Sequence, residues 1–225
     1  MLLFQTMVYF RRVEGPIATP AIFVLFDLKS QTRDTIGKFS GMDAYISLNL
    51  NELPTRLNIP FDVMPSAAIG RDGFFITAGE GPEIIEYDEG GRMRRMIRLD
   101  EPVKAVSRQE FERHAQRVSE SSARTRSAVG VIKRVYMQMP IPRIKPVFKS
   151  LVVDKNDWLW AELFRVDDGA AAEWMVFDTA RKARGIVTMP RGLEVHEIGH
   201  DYVLGRWLDD LSVEHVRRYP LKRTN

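Results

Sequence analysis

Between Gly192 and Trp207, the residues His196-Glu197-Ile198-Gly199-His200 spell HExxH, the pattern with which zinc peptidases hold a catalytic ion. The chemistry would be hydrolysis, with two imidazoles on the metal, the glutamate as general base and a metal-bound water as nucleophile. It depends on a helix, where residues four apart share a face with Cβ atoms about 6 Å apart. On a strand, at ~3.3 Å per residue, two residues four apart stand roughly 13 Å apart and cannot share one tetrahedral ion.

The neighbouring residues favour a strand. Leu193, Val195, Tyr202, Val203 and Leu204 are β-formers, and Gly199 and Gly205 would each weaken a helix by about 1 kcal/mol. The extended form of the motif needs glycine at Val203 and a third histidine at Arg206, and Glu214 lies in a segment that itself reads as a strand. His196, Glu197 and His200 are therefore set aside as metal ligands, and the expectation is no catalytic residue and no cofactor. "DKNDW" at Asp154 starts like a calcium loop but lacks the glycine and glutamate that complete one, and reads as a hairpin turn. "GEGPE" (Gly79 to Glu83) has no helix after it to hold a phosphate. The chain has no cysteine, hence no thiolate nucleophile or ligand.

The elements that carry these residues come in repeats. "AAIGRDGFFI" (from Ala67) and "LVVDKNDWLW" (from Leu151) share one form, an apolar strand, a tight polar turn and an aromatic strand, with Arg71 over Lys155 and Phe74 over Trp158. "IGHDYVL" (Ile198 to Leu204) lies over "IGRDGFF", which puts His200 in a hairpin turn beside Arg71 and Lys155. A second hairpin recurs around Phe26-Asp27, Tyr87-Asp88 and Phe177-Asp178, each an apolar strand ending in aromatic-Asp followed by a polar turn and a basic strand. These aspartates are 61 and 90 positions apart, and an insertion of roughly 45 residues in the longer interval leaves a propeller-sized unit. Two hairpins per unit make a four-stranded antiparallel sheet.

The segments "LVVDKNDWLWAEL", "WMVFDTARKARGIVTMP" and "DYVLGRWLDDLSVEHVRRYPL" resemble the closing blades of bacterial six-bladed β-propellers of the NHL-repeat and TolB-like group. The expected fold is all-β: an incomplete β-propeller of about three and a half four-stranded antiparallel blades, one domain over residues 1–225. The resemblance implies a piece of a longer ring whose full-length relatives are exported, open edges able to self-associate, and no catalytic residue. Trp158, Trp160, Trp174 and Trp207 are assigned to packing between blades, with one exposed indole left as a ligand-stacking surface.

An α-helical insertion occupies 101–146. Ser107 and Glu110 form a capping box ahead of Phe111, Ala115 and Val118; a second helix carries Val129, Ile132, Tyr136 and Met139 and stops at Pro140 and Pro142, with Ser119 to Ser127 as the connection. From Lys104 to Lys145 ten basic residues face three acidic ones, so the segment holds +7 of a chain whose net charge is +3. Arg108, Arg113, Arg117, Arg124, Arg126, Lys133 and Arg134 are the candidate contacts for an anionic partner, nucleic acid or anionic lipid. No stretch reaches the roughly 20 apolar residues of a membrane helix, and the N-terminal run, broken by Gln5 and Thr6, lacks a secretory leader's pattern. These features support a non-catalytic binding or scaffold module; the alternative is a lactonase-like propeller hydrolase with a metal or substrate in its channel.

Overall fold

The structure, a computed structural model, describes residues 2–7, 14–48, 55–62, 64–78, 81–100, 102–122, 126–166, 169–209, 211 and 213–223. In chain order the elements are β1 (Leu2–Met7), β2 (Gly15–Ile17), β3 (Pro20–Phe26), β4 (Arg33–Ser40), β5 (Ala44–Ser47), β6 (Thr55–Asn58), β7 (Ser66–Gly70), β8 (Gly73–Thr77), β9 (Glu83–Asp88) and β10 (Met93–Arg98). Helices α1 (Arg108–Ser122) and α2 (Arg126–Gln138) follow. The chain continues with β11 (Phe148–Val153), β12 (Leu159–Leu163), β13 (Glu173–Phe177), β14 (Ala183–Thr188), β15 (Leu193–Ile198), β16 (Tyr202–Leu208) and β17 (Glu214–Pro220). The fold is mostly β, and the strands pair antiparallel in sheets of three or four. Two compact units divide the chain: residues 1–65, 78–82 and 100–147 form one, and 66–77, 83–99 and 148–225 the other.

The second unit carries the repeats. β7 to β10 and β11 to β14 are four-stranded meanders, and β15 to β17 is a three-stranded one. Their first strands are neighbours, with β11 lying against both β7 and β15. The inner strands are the apolar ones: every residue of β8 is buried, as are Leu159 to Glu162 of β12. The fourth strands, "MRRMIR" and "ARGIVT", are almost wholly exposed and carry arginine, which blunts an edge against further pairing. Trp160, Trp174, Val176, Leu193, Ile198 and Val203 form one buried cluster. Trp158 and Trp207 are partly buried and pack against its margin, so all four indoles take part in packing, two of them fully buried.

One register differs from the sequence reading. Ile69 pairs with Phe74 and Ile198 with Val203, but Val153 pairs with Leu159, not Trp158. The turn after Val153 is one residue longer because the Asp154 carboxylate organises it, accepting the amides of Asn156 (2.8 Å) and Trp158 (2.9 Å).

The first unit departs further from the repeat. Hairpin β3–β4 is joined by β1, while β2, β5 and β6 form a separate sheet, so among the described residues the unit expected near Val24 is a three-stranded sheet instead of a four-stranded one. The helical excursion belongs here and is closed at its base by the Ala105–Ile144 bridge and the Lys145 amide on the Lys104 carbonyl, 2.7 Å. The capping box forms as read: Ser107 N and Oγ both donate to Glu110 Oε2 (3.1 and 2.7 Å), and Glu110 N donates to Ser107 Oγ (3.2 Å). Phe111, Ala115, Tyr136 and Met139 are buried, together with Val135. Ser119 to Ser122 are helical rather than part of the connection, as are Arg126 and Ser127. Ser119 is tolerated inside the helix, where its buried hydroxyl is satisfied by bonding back to the Ala115 carbonyl at 2.6 Å.

Candidate functional site

The HEIGH segment falls on strand and turn. His196 and Glu197 belong to β15 and His200 to the turn before β16. His196 sits at a bulge, since Val195 pairs with Gly205 and Glu197 with Leu204, and its Nε2 lies 3.9 Å from Glu194. Glu197 accepts the Tyr202 hydroxyl and pairs with Lys155 Nζ at 3.2 Å; His200 Nδ1 meets Asn156 Oδ1 at 2.5 Å. The three side chains thus serve three different neighbours. The Tyr202 hydroxyl, and after it Lys155, holds the Glu197 carboxyl below its usual range, the opposite of the upward tuning that suits a general base at neutral pH. Among the described residues no three His, Asp or Glu side chains gather as a metal would require.

The aspartates of the repeats have a shared task inside their turns. Asp88 Oδ1 accepts the amides of Gly90 and Arg92, both at 2.9 Å. Asp154 Oδ1 does the same for Asn156 and Trp158, Asp209 Oδ1 for Leu211 and Val213, and Asp178 Oδ1 accepts the Lys182 amide. In each the aspartate amide also donates to the carbonyl four residues on, at 2.9 to 3.1 Å. The i+4 amide is the main cause that keeps the Asp88 and Asp178 carboxyls below the ordinary range, so both remain charged and committed to the backbone.

This turn demands a left-handed residue three positions after the aspartate. Gly91 fills the place after Asp88 with φ of 79°. The matching places after Asp154 and Asp178 hold Asp157 (φ 63°) and Arg181 (φ 65°), where a side chain costs roughly 1–2 kcal/mol. These two strained residues bind one another. Arg181 Nη2 lies 3.3 Å from Asp157 Oδ2 and 3.3 Å from Glu86 Oε1, Nη1 donates to the Asp157 carbonyl at 2.8 Å, and the guanidinium stacks 4.6 Å above the Phe75 ring. Its side chain is only 7% exposed. Backbone strain kept for the sake of a buried ion pair marks a place that the surrounding structure over-determines.

Above that floor opens a polar cavity of about 460 Å³, bounded by Gly70, Arg71, Asp72, Arg94, Asp157 and Thr179, with Phe75, Glu86 and Arg181 beneath. Asp157 Oδ1 fixes the near wall by accepting the Arg71 amide at 2.8 Å. Among the described residues Glu86 Oε2 has no hydrogen-bond donor, and Arg95 Nε lies 3.7 Å from it. Arg71 and Arg94 are exposed, and neither forms an ion pair with a described residue; Arg94 lies in the field of Asp88. Trp158, the more exposed indole next to Trp160, lines a separate groove of about 350 Å³, where Arg223 stacks 5.1 Å from its ring.

Sequence reading placed Arg71 in a turn and did not single out Glu86, Arg94, Asp157 or Arg181 as a group. A signal was present for Arg181, which stands where the aligned turn after Tyr87-Asp88 has Gly91, whereas Asp157 aligns with Gly73. On the helices, Arg108, Arg113, Arg117, Lys133 and Arg134 are exposed, and Arg108 lies 3.9 Å from Glu112. Arg124 and the side chain of Arg126 lie outside the described residues. No described helix is long and apolar enough to cross a membrane. No protein-family model matches the chain, and no curated protein matches it.

Proposed function

We propose that the chain is a non-catalytic binding and scaffold module built on β-propeller-type blades. The observation that carries this reading is the use of the repeat carboxylates: Asp88, Asp154, Asp178 and Asp209 are consumed by their own turns, leaving none as nucleophile, base or ligand. Successive meanders with neighbouring first strands are what blades around an axis require. A constant frame of this kind presents variable turn residues at its ends, where ligands of such scaffolds are met.

The test is an assay of the purified chain against lactone, ester and peptide substrates, with and without zinc and calcium, alongside measurement of its metal content. No turnover and no stoichiometric metal are expected. A bound equivalent of zinc or calcium, or a hydrolytic activity abolished by Glu197→Ala, would overturn the reading.

A further inference from the structure

We infer that the polar cavity over the Asp157–Arg181 pair is a binding site for a small solute carrying an oxyanion, a phosphate or a carboxylate. The inference rests on the binding-module reading and names the ligand chemistry of its site.

Three observations carry it. First, the one buried guanidinium of the floor is already taken: Arg181 meets both Glu86 and Asp157 at 3.3 Å, and the half-exposed Arg95 stands 3.7 Å from the second Glu86 oxygen. Second, the rim differs. Outside the floor, the lining carries two exposed guanidinium groups, Arg71 and Arg94, and the exposed carboxylate of Asp72; neither arginine forms an ion pair with a described residue, and Arg94 also lies in the field of Asp88. Guanidinium presents a planar fork of N–H donors that matches phosphate and carboxylate oxygens, so its natural complement here is an oxyanion. Third, the wall depends on a glycine. A Cβ on Gly70 would stand 3.0 Å from Asp157 Oδ1 and 3.2 Å from Phe75, crowding the two side chains that form the wall Arg71 flanks. The strained φ values of Asp157 and Arg181 hold that wall and floor in register. Thr179 adds a hydroxyl to the lining, which supplies one further neutral hydrogen-bonding group.

Titration calorimetry with inorganic phosphate and, separately, citrate tests this on the intact chain. Saturable binding of at least one is expected, weakening several-fold between about 50 and 200 mM salt as charge neutralisation requires. The double variant Arg71→Ala, Arg94→Ala should lose at least tenfold in affinity, with an unchanged melting temperature because both side chains are exposed. The double lysine variant should recover part of the loss. Binding of phosphate alone or citrate alone identifies which oxyanion the site takes. Absence of binding by both probes, or affinity indifferent to the double alanine variant, overturns the site while leaving the absence of catalysis untouched. Hydrolytic turnover with oxyanion binding intact would instead sink the non-catalytic reading and spare the site.

Discussion

Asp157 and Arg181 both adopt left-handed backbone conformations, at φ of 63° and 65°, and their side chains meet at 3.3 Å. Each sits three residues after the aspartate that organises its turn, the position that Gly91 fills in the first four-stranded meander. Two separate turns thus hold a side chain at a left-handed position, and those two side chains form one buried ion pair.

Arg181→Gly separates the two contributions. It relieves roughly 1–2 kcal/mol of strain but strands Glu86 and Asp157 without their cation, which costs about 3–5 kcal/mol for a buried pair. Net destabilisation of about 2 kcal/mol is expected in urea unfolding, and a variant more stable than the parent by the strain relief of roughly 1–2 kcal/mol would show the pair to be idle.

Asp154 is the most heavily used carboxylate in the second unit. Its side chain is fully buried, and Oδ2 accepts the Trp160 indole at 2.7 Å and Arg223 Nη2 at 2.8 Å. Asp154→Ala removes four acceptor contacts and leaves Arg223 uncompensated, so a loss of about 3 kcal/mol or more is expected. Chemical denaturation followed by tryptophan fluorescence measures it; a loss below about 1 kcal/mol, the size of a surface pair, would refute the assignment.

Glu110 ties the start of α1 to the base of the excursion. The Lys145 ammonium, then the Ser107 hydroxyl and amide, lower its carboxyl from 4.5 to about 2. Because the folded value is the depressed one, this contribution to stability is complete above the ordinary glutamate range and disappears as pH falls from there through about 2. Carbon-detected NMR should place the Glu110 midpoint near 2, and Lys145→Met should raise it toward the ordinary range. A wild-type midpoint near 4.3 would contradict the contact.

Tyr202 reports on Glu197. The neighbouring carboxylate raises the phenol above 10, so the folded state holds that proton longer and this stabilisation is lost only as pH rises through the elevated value. Glu197→Gln removes the charge, and the Tyr202 ring-carbon titration should move down toward about 10. An unmoved titration would mean that the two groups do not interact in solution.

Strands, turns and helix caps were legible in the residues because their causes are local. The apolar strand ending in Tyr87-Asp88, the polar turn after it and the Ser107–Glu110 box all act within a few positions, and they form as read. Ser119 was misread for a related reason: its polarity argues for a loop, but the bond to Ala115 satisfies its buried hydroxyl inside the helix. The HEIGH letters were resolved by the same local logic, since Gly199 and the β-formers around it make a strand and a turn.

The cavity was not legible in this way. Arg181 reaches Glu86 across 95 positions and Asp157 across 24, and the Asp157 carboxylate reaches the Arg71 amide across 86. Which turns face one another depends on how the meanders stack, and stacking is decided by the burial of Phe75, Trp160 and Trp174, whose apolar contact carries no record of its partner in the sequence. The sequence by itself determined that strands, aspartate turns and a capped helical excursion would form. Tertiary structure alone decided which charged residues those turns would bring together, because ion pairs act over a few ångströms in space and have no preferred separation along the chain.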